Sequence, residues 1–320
     1  MDRIDCFNGD ADGICALLQL QLDDPRPSTL VTGVKRDIAL LDRVRARPGD
    51  IVTALDISLD KNRSALTAAL DRGVRVRWFD HHYAGEVPSH PLLETHIETL
   101  PDKGTSLLVD DHVGGRYRAW AVVGTYGDNF DQAAARAAAP LGLDAEALST
   151  LRELGILINY NGYGAEVADL HIAPDALYRK LLPFADPLDF VASDATFQQL
   201  REGYRADMAA AKALAPALQT DRHAVLVLPG DAWARRVGGV YANALAQAAP
   251  ARAHALLTRL PDGDFVVSVR APIDRPDGAD ALCRQFETGG GRKAAAGINR
   301  LPESDYDRFV EAFMHAFLTR

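Results

Sequence analysis

Acidic and histidine side chains follow three separate apolar segments in the first part of the chain. They are Asp10 and Asp12 in FNGDADG, Asp56 in ALDIS, and Asp80, His81 and His82 in WFDHH. Carboxylates crowded together repel one another, so a cluster of this kind normally exists to hold cations. Oxygen ligands with one or two imidazoles suit Mn²⁺ or Mg²⁺ better than they suit a sulfur-rich zinc site.

Each of these motifs also has a purely structural interpretation. FNGDADG resembles the start of an EF-hand loop, but the glutamate required at its twelfth position is replaced by Gln19. Asp10 and Asp12 could simply cap the helix that follows them, and Asp56 alone could be a turn residue. Vicinal histidines rarely serve packing, and three such sets after successive apolar segments favour a metal site.

The elements that must position these residues alternate between strand and helix patterns. The strand patterns are Ile4–Phe7, Thr29–Val34, Ile51–Leu55 and Val74–Phe79, and the helix patterns between them are Ile14–Leu22, Ile38–Val44 and Ser64–Arg72. This alternation predicts βαβ units and a mostly parallel sheet. Ligands bind such sheets beyond the carboxyl ends of the strands, where these acidic residues fall.

The rest of the chain divides into a helical part and a second region with strands. Helical spacing dominates from about residue 105 to 218, and strand patterns return at His223–Leu228, His254–Thr258 and Phe265–Val269. We therefore predict an α/β protein with a mostly parallel N-terminal sheet domain, its helical extension and a smaller C-terminal α/β domain. The predicted bounds are 1–200 for the metal-binding domain, 201–220 for a helical connector and 221–320 for a substrate-binding domain.

Composition limits the partners and the location of the protein. The 320 residues include 44 acids and 35 bases, a net charge of −9, which disfavours binding to long duplex DNA. The first residues lack the basic and apolar regions of a signal peptide and no segment is apolar enough to span a bilayer, so we expect a cytoplasmic protein that does not bind membranes. The three cysteines form no CxxC pair, which argues against a zinc–thiolate site.

Basic and amide residues elsewhere are further candidates for binding an anion. In GGGRK, the backbone at Gly290 and Gly291 can approach a phosphate closely, Arg292 offers a planar fork and Lys293 a point charge. A flexible turn is the alternative interpretation. Arg270, at the end of FVVSVRAP, is another candidate. The remaining candidates are Lys35 and Arg36, placed by preference in a solvated loop, the predicted helix N-terminus in KGTS, and the asparagines of NYNGYG, which either contact a nucleotide or pack.

Five motifs in this order resemble the DHH phosphoesterases, a family named for its Asp-His-His triplet. They are NGDADG at 8–13, LDIS at 55–58, FDHH at 79–82, GTYGDN at 124–129, which adds Asp128, and GGGRKAAAG at 289–297. Members of the family include RecJ-like nucleases, nanoRNA and pAp phosphatases, cyclic-dinucleotide phosphodiesterases and, more distantly, family II pyrophosphatases.

The resemblance implies a two-ion site and assigns roles to its residues. One ion would take Asp10 and the bridging Asp56, and the other would take Asp12, Asp56, His81 and Asp128. His82 would face the substrate phosphate, and Asp80 would support the histidines. Many members have a histidine where this chain has Asn8 or Cys6. The Asn8 amide oxygen could serve as an extra ligand, but it is weaker than imidazole, so the first ion would bind loosely or arrive only with substrate.

We therefore expect a Mn²⁺-dependent phosphoesterase that cleaves short oligonucleotides or small nucleotides with a metal-activated hydroxide. The resemblance places the active site in a cleft between the two domains, and it leaves room for Mg²⁺ and for a homodimer. The alternatives are a pyrophosphatase or polyphosphatase and a non-catalytic nucleotide sensor. The missing histidine favours the sensor, whereas the six remaining acidic and histidine residues favour the enzyme.

Overall fold

The computed structural model describes residues 1–100 and 102–318, which fold as two compact units. The first unit is Met1–Glu202, and the second begins at Gly203. Each is built around a β-sheet with helices packed on it, so the predicted α/β class is confirmed.

Within residues 1–100 and 102–202, the first unit contains five strands and most of the helices. Its strands are β1 (Arg3–Phe7), β2 (Thr29–Val31), β3 (Ile51–Leu55), β4 (Arg75–Asp80) and β5 (Leu93–Ile97). Its helices are α1 (Ala11–Asp23), α2 (Leu59–Asp71), α3 (Thr105–His112), α4 (Arg118–Gly127), α5 (Asp131–Ala138), α6 (Ala145–Gly162), α7 (Pro174–Leu181), α8 (Pro187–Ser193) and the first part of α9 (Thr196–Lys212).

The sheet of the first unit has the strand order β2-β1-β3-β4-β5, and all neighbouring pairs run parallel. Strand β2 lies on one side of β1, whereas β3, β4 and β5 follow in turn on the other side. The direction in which strands are added to the sheet therefore reverses between β1 and β3. Such a reversal opens a crevice at the carboxyl ends of the strands, where doubly wound proteins bind ligands. The loops after β1 and β3 carry Asp10 and Asp56 to this crevice, and the first turn of α1 carries Asp12 there.

Apolar residues hold the sheet between layers of helices. Val52, Ala54, Val76 and Trp78 are fully buried in one continuous cluster with residues of α2. Helix α1 is almost entirely buried because it packs against α3, α4 and α6. The residues that follow β1 are therefore held on both sides, by the sheet and by these helices.

The second unit has a mixed sheet. Its remaining elements are β6 (Leu218–Gln219), β7 (His223–Leu228), α10 (Ala232–Ala248), β8 (Ala253–Arg259), β9 (Phe265–Arg270), α11 (Ala279–Cys283), β10 (Gly289–Gly291), β11 (Ala295–Leu301) and α12 (Tyr306–Ala316). The strand order is β10-β11-β9-β8-β7-β6, and among the strands described up to residue 318 only the β7–β8 pair runs parallel. A core of aromatic and aliphatic residues, including Phe265, Phe309 and Phe313, lies between this sheet and α12.

Three local expectations differ from the structure. The helix predicted over Ile38–Val44 is a single 3₁₀ turn, Leu40–Arg43, because the Leu41 N–H donates to the Asn62 side chain at 3.1 Å instead of continuing a helix. The second strand ends at Val31, earlier than predicted. Strands β5, β6, β10 and β11 had not been predicted from the sequence.

No helix in the described ranges is both long and apolar enough to cross a membrane. The three cysteines are buried as free thiols.

Candidate metal centre

The loop after β1 is organised by the side chains of Asn8 and Asp10. The Asp10 carboxylate caps α1 by accepting a hydrogen bond from the Gly13 N–H at 3.0 Å. The Asn8 amide oxygen accepts from the Asp10 N–H at 3.3 Å, and the amide nitrogen donates to the Lys35 carbonyl at 3.2 Å. The capping interpretation is thus correct for Asp10, and Asn8 uses both ends of its amide within the protein.

Asp12 lies one residue inside α1 and is fully buried. Its two carboxylate oxygens accept hydrogen bonds from the first N–H groups of α3, from Thr105 at 2.6 Å and from Ser106 at 2.8 Å. The helix N-terminus predicted in KGTS therefore receives a carboxylate of the protein itself. These bonds fix Asp12 in place and favour its charged form.

Asp56 directly follows β3 and has a left-handed backbone with φ = +58°. Residues other than glycine rarely adopt this conformation, and where they do, the surroundings enforce it. Here the Asp56 N–H donates to the Phe79 carbonyl of β4 at 3.0 Å, and a carboxylate oxygen accepts from the Thr105 hydroxyl at 2.9 Å. The turn points the buried carboxylate towards the histidines that follow β4.

The two vicinal histidines face different neighbours. His81 Nε2 lies 3.5 Å from Asp56 Oδ1, 3.8 Å from Asp128 Oδ2 and 4.0 Å from Asp12 Oδ2. His82 Nδ1 instead pairs with Asp80 Oδ1 at 2.7 Å. Thus His81 lies at the centre of the carboxylates, whereas His82 is held at their edge by Asp80.

Lys35 contributes an ammonium group to the same cluster. It lies in the irregular segment after β2, and its Nζ donates to Asp10 Oδ2, to Asp128 Oδ1 at 2.8 Å and to Asn159 Oδ1 at 2.9 Å. Asp128 reaches the site because it ends α4, and Asn159 because it lies near the end of α6. The preference for a solvated loop at this lysine was wrong.

Crowding shifts the acidities in opposite directions. Burial, and then the charges of Asp10 and Asp12, raise the pKa of Asp56 well above its ordinary value. Burial and the Asp128 charge also raise the pKa of Asp12, although His81 opposes the shift. At Asp10 burial acts in the same direction, but the Lys35 ammonium outweighs it and the pKa is lowered.

The basic groups respond to the same field. Burial alone would lower the pKa of Lys35, but the carboxylates of Asp10 and Asp128 raise it well above its ordinary value. Burial likewise opposes protonation of His82, while its hydrogen bond and charge contact with Asp80 raise the pKa. The negative charge is therefore compensated at Asp10 and Asp80 but much less at Asp12 and Asp56.

The geometry leaves room for a cation at this uncompensated part. Ligand atoms of Asp12, His81 and Asp128 lie within 4.8 Å of one another, and so do those of Asp56, His81 and His82. Asp80 keeps one buried carboxylate oxygen with no hydrogen-bond partner among the described residues. Oxygen atoms with a central imidazole nitrogen fit Mn²⁺ or Mg²⁺.

Several solved structures share the architecture of this chain. No protein-family model and no curated protein matches the chain. A RecJ exonuclease bound to manganese superposes with a TM-score of 0.65 at 21% identity, over 99% of this chain and 91% of that one. RecJ from Thermus thermophilus with Mn²⁺ gives 0.68 at 20% identity, over 98% of this chain and 52% of that one, and it also matches as a Mg²⁺ complex. The pGpG-specific phosphodiesterase PggH from Vibrio cholerae gives 0.61 at 15% identity, over 99% of both chains.

The chain has a RecJ-like DHH fold. In this DHH fold the predicted residues of the first unit come together: Asp10, Asp12, Asp56, Asp80, His81, His82 and Asp128 all lie in the crevice at the sheet's carboxyl edge. The strand ends were sufficient to predict this gathering for the residues after β1, β3 and β4, whereas Asp128, at the end of α4, was predicted from the family resemblance. Thr105, Ser106 and Asn159 complete it through contacts that no local pattern specified.

The predicted phosphate-binding residues of the second unit lie on its sheet. Gly289–Gly291 form the edge strand β10, and the Arg292 N–H donates to the Ala295 carbonyl at 2.9 Å across a tight turn to β11. The side chains of Arg292 and Lys293 are exposed on this turn. Arg270 ends β9, and its guanidinium donates to the Asn243 amide oxygen of α10 at 2.7 Å.

Proposed function

We propose that the chain is a metal-dependent phosphoesterase acting on short oligonucleotides or small phosphorylated nucleotides. The observation that carries the proposal is the convergence of Asp12, Asp56, His81 and Asp128 at the reversal point of a parallel sheet. The names of the matching structures, an exonuclease and a pGpG-specific phosphodiesterase, support the same substrate class.

The proposed cofactor is a divalent cation, Mn²⁺ by preference and Mg²⁺ as the alternative. When bound, it would supply Lewis-acid chemistry by polarising the phosphoryl group and acidifying a water molecule. The protein's part is to hold the ligands still. The α3 N–H groups fix Asp12, the Thr105 hydroxyl fixes Asp56, and the end of α4 positions Asp128.

His82 is proposed to bind the substrate phosphate directly, and Asp80 is proposed to act through His82. The bond to Asp80 places the proton on His82 Nδ1 and favours the charged imidazole, which leaves Nε2 to donate to a phosphate oxygen. The His82 side chain is 45% exposed, so a substrate can reach it. Asp80, fully buried, is a positioning residue in this scheme.

The second unit is proposed to bind substrate phosphate through GGGRK and Arg270. Support comes from the exposed guanidinium and ammonium groups of Arg292 and Lys293 and from the open surface at Gly290, where an added Cβ would meet no atom within 4 Å. Gly291 has φ = +137° and holds the turn. Charged donors beside an approachable backbone are typical of phosphate binding.

A substrate panel tests the proposal. Purified protein with Mn²⁺ or Mg²⁺ is assayed on p-nitrophenyl phosphate, pAp, dinucleotides to pentanucleotides, cyclic dinucleotides and pyrophosphate. We expect turnover of a short oligonucleotide or nucleotide that chelation abolishes. Asp56→Asn is expected to lose turnover, whereas Asp71→Asn, at an exposed position at the end of α2, keeps it.

The other outcomes of the panel separate the alternatives. Turnover of pyrophosphate alone would replace the proposal by a pyrophosphatase. A nucleotide that raises the melting temperature without being cleaved would replace it by a sensor.

A further inference from the structure

The ammonium of Lys35 has a complete set of hydrogen-bond partners inside the candidate centre. A lysine ammonium has three N–H donors, and Lys35 directs them to Asp10 Oδ2, Asp128 Oδ1 and Asn159 Oδ1. These acceptors come from the loop after β1 and the ends of α4 and α6. Three elements distant in sequence thus form a binding site for one positive charge.

The residues expected to hold the first divalent ion are already engaged. One Asp10 oxygen caps α1 and the other binds Lys35. The amide of Asn8, the extra ligand considered from the sequence, bonds to the Asp10 N–H and the Lys35 carbonyl. Asp10 also belongs to neither of the two ligand groups found within 4.8 Å in the described ranges. This donor set does not fit a resident divalent ion.

Charge leads to the same result. A divalent ion at Asp10 would lie beside the Lys35 ammonium and compete with it for the same carboxylate oxygen. Two positive charges that share one carboxylate oxygen in a buried site repel each other strongly. Of the carboxylates around His81, Lys35 pairs among the described residues only with Asp128, through Oδ1, while Asp128 Oδ2 faces His81. The negative charge of Asp12 and Asp56 is therefore not neutralised by the lysine.

We propose that Lys35 takes the place of the first divalent cation, so that the centre holds a single ion at Asp12, Asp56, His81 and Asp128. This inference deepens the proposed function and rests on it for the identity of the remaining site. Asp128 links the two positions, with Oδ1 on the ammonium and Oδ2 facing His81. The chain therefore replaces a ligand histidine and its ion by a neutral Asn8 and a built-in charge.

Counting bound Mn²⁺ tests this directly. Wild-type protein, Lys35→Met and Lys61→Met are saturated with Mn²⁺, freed of excess by gel filtration and analysed for manganese per chain. Lys61 is an exposed lysine on α2 and serves as the matched control for loss of charge. We expect one ion in the wild type and in Lys61→Met, and a gain to two in Lys35→Met, whose Asp10 oxygen is freed.

Electron paramagnetic resonance of the same samples gives an independent reading. The wild type is expected to show the hyperfine spectrum of an isolated ion, and Lys35→Met that of a spin-coupled pair. Lys35→Met combined with Asn8→His is expected to hold the second ion more tightly than Lys35→Met alone, because imidazole is the stronger ligand.

Two ions in the wild type, or no second ion in a folded Lys35→Met, would overturn the inference. If Lys35→Met does not fold, the wild-type count decides. Failure of the proposed function is distinguishable, since it would appear as absent turnover of the whole panel while the manganese count remained one.

Discussion

At the scale of single residues, Asp12 combines a structural task with its proposed role as a metal ligand. Its carboxylate accepts two N–H groups from α3 and still presents Oδ2 to His81 and Asp128. A carboxylate in this position needs a very close approach of the α3 N-terminus. Gly104 permits it, because a Cβ there would lie 2.8 Å from Asp12 Oδ2.

Gly104→Ala should therefore disturb the centre from outside the ligand set. Overpacking of this kind costs about 1–3 kcal/mol, and displacing Asp12 should weaken Mn²⁺ binding by about 10-fold or more. Thermal melts and Mn²⁺ titrations check both effects. Gly230→Ala, where the added Cβ meets only ordinary contacts, is the control. Unchanged metal affinity in Gly104→Ala would show that Asp12 is not a ligand.

Alanine substitutions of His81 and His82 should have different effects on metal affinity and on turnover. His81→Ala removes the central nitrogen and should lower Mn²⁺ affinity. His82→Ala should retain the metal but lower kcat/KM by about 10–150-fold, the worth of one charge-assisted hydrogen bond. Manganese analysis and steady-state kinetics on both variants distinguish these roles. Equal loss of metal in the two variants would contradict the assignment.

Sequence reasoning reached some of these residues and not others for physical reasons. Asp56 and His81 follow apolar strands, and parallel strands end at one edge, so local patterns were enough. Lys35 could not be found in this way. It follows a short strand in an irregular segment, and its partners Asp128 and Asn159 are 93 and 124 positions away.

At the scale of elements, the hairpin β10–β11 shows why the glycine motif was ambiguous. From composition GGGRK was either a turn or an anion site, and the structure makes it an edge strand with a turn. Close packing requires glycine at two of its positions. A Cβ at Gly289 would lie 1.7 Å from the Cys283 carbonyl oxygen, and a Cβ at Gly291 would lie 2.5 Å from Ala296. Gly290 has no such contact, so its absence of a side chain is unexplained by the fold.

Variants of this hairpin test whether it binds substrate. Arg292→Ala and Gly290→Ala should leave the melting temperature and the manganese count at wild-type values. Arg292→Ala should raise KM, by about 10–150-fold for one charge-assisted bond, and Arg292→Lys should restore little because it lacks the fork. Arg308→Ala, an exposed arginine on α12, is the control. If kcat/KM is unchanged in Arg292→Ala combined with Lys293→Ala, the motif is only a turn.

At the scale of the whole molecule, many positive side chains form ion pairs with acidic residues of the protein. The net charge is −9, and many basic side chains are paired with acids, as Arg201 is with Glu153 and Arg300 with Asp262 and Asp264. A protein that grips long nucleic acid instead presents an extended basic surface. The acidic balance and this pairing therefore support the proposal that the substrates carry few phosphates, each bound by a specific cation.

This distribution predicts how binding depends on salt and on substrate length. A ligand that displaces counterions from one or two phosphates gives a slope of log K against log salt of about −1, whereas a long strand held along its backbone gives a much steeper one. We expect the shallow slope for dinucleotides and pentanucleotides, and weaker binding of long duplex DNA at every salt concentration. Fluorescence anisotropy with labelled oligonucleotides in inactive Asp56→Asn measures both. A slope that steepens with each added nucleotide, together with tight duplex binding, would show that the acidic surface conceals a nucleic-acid track and would turn the substrate class towards long polymers.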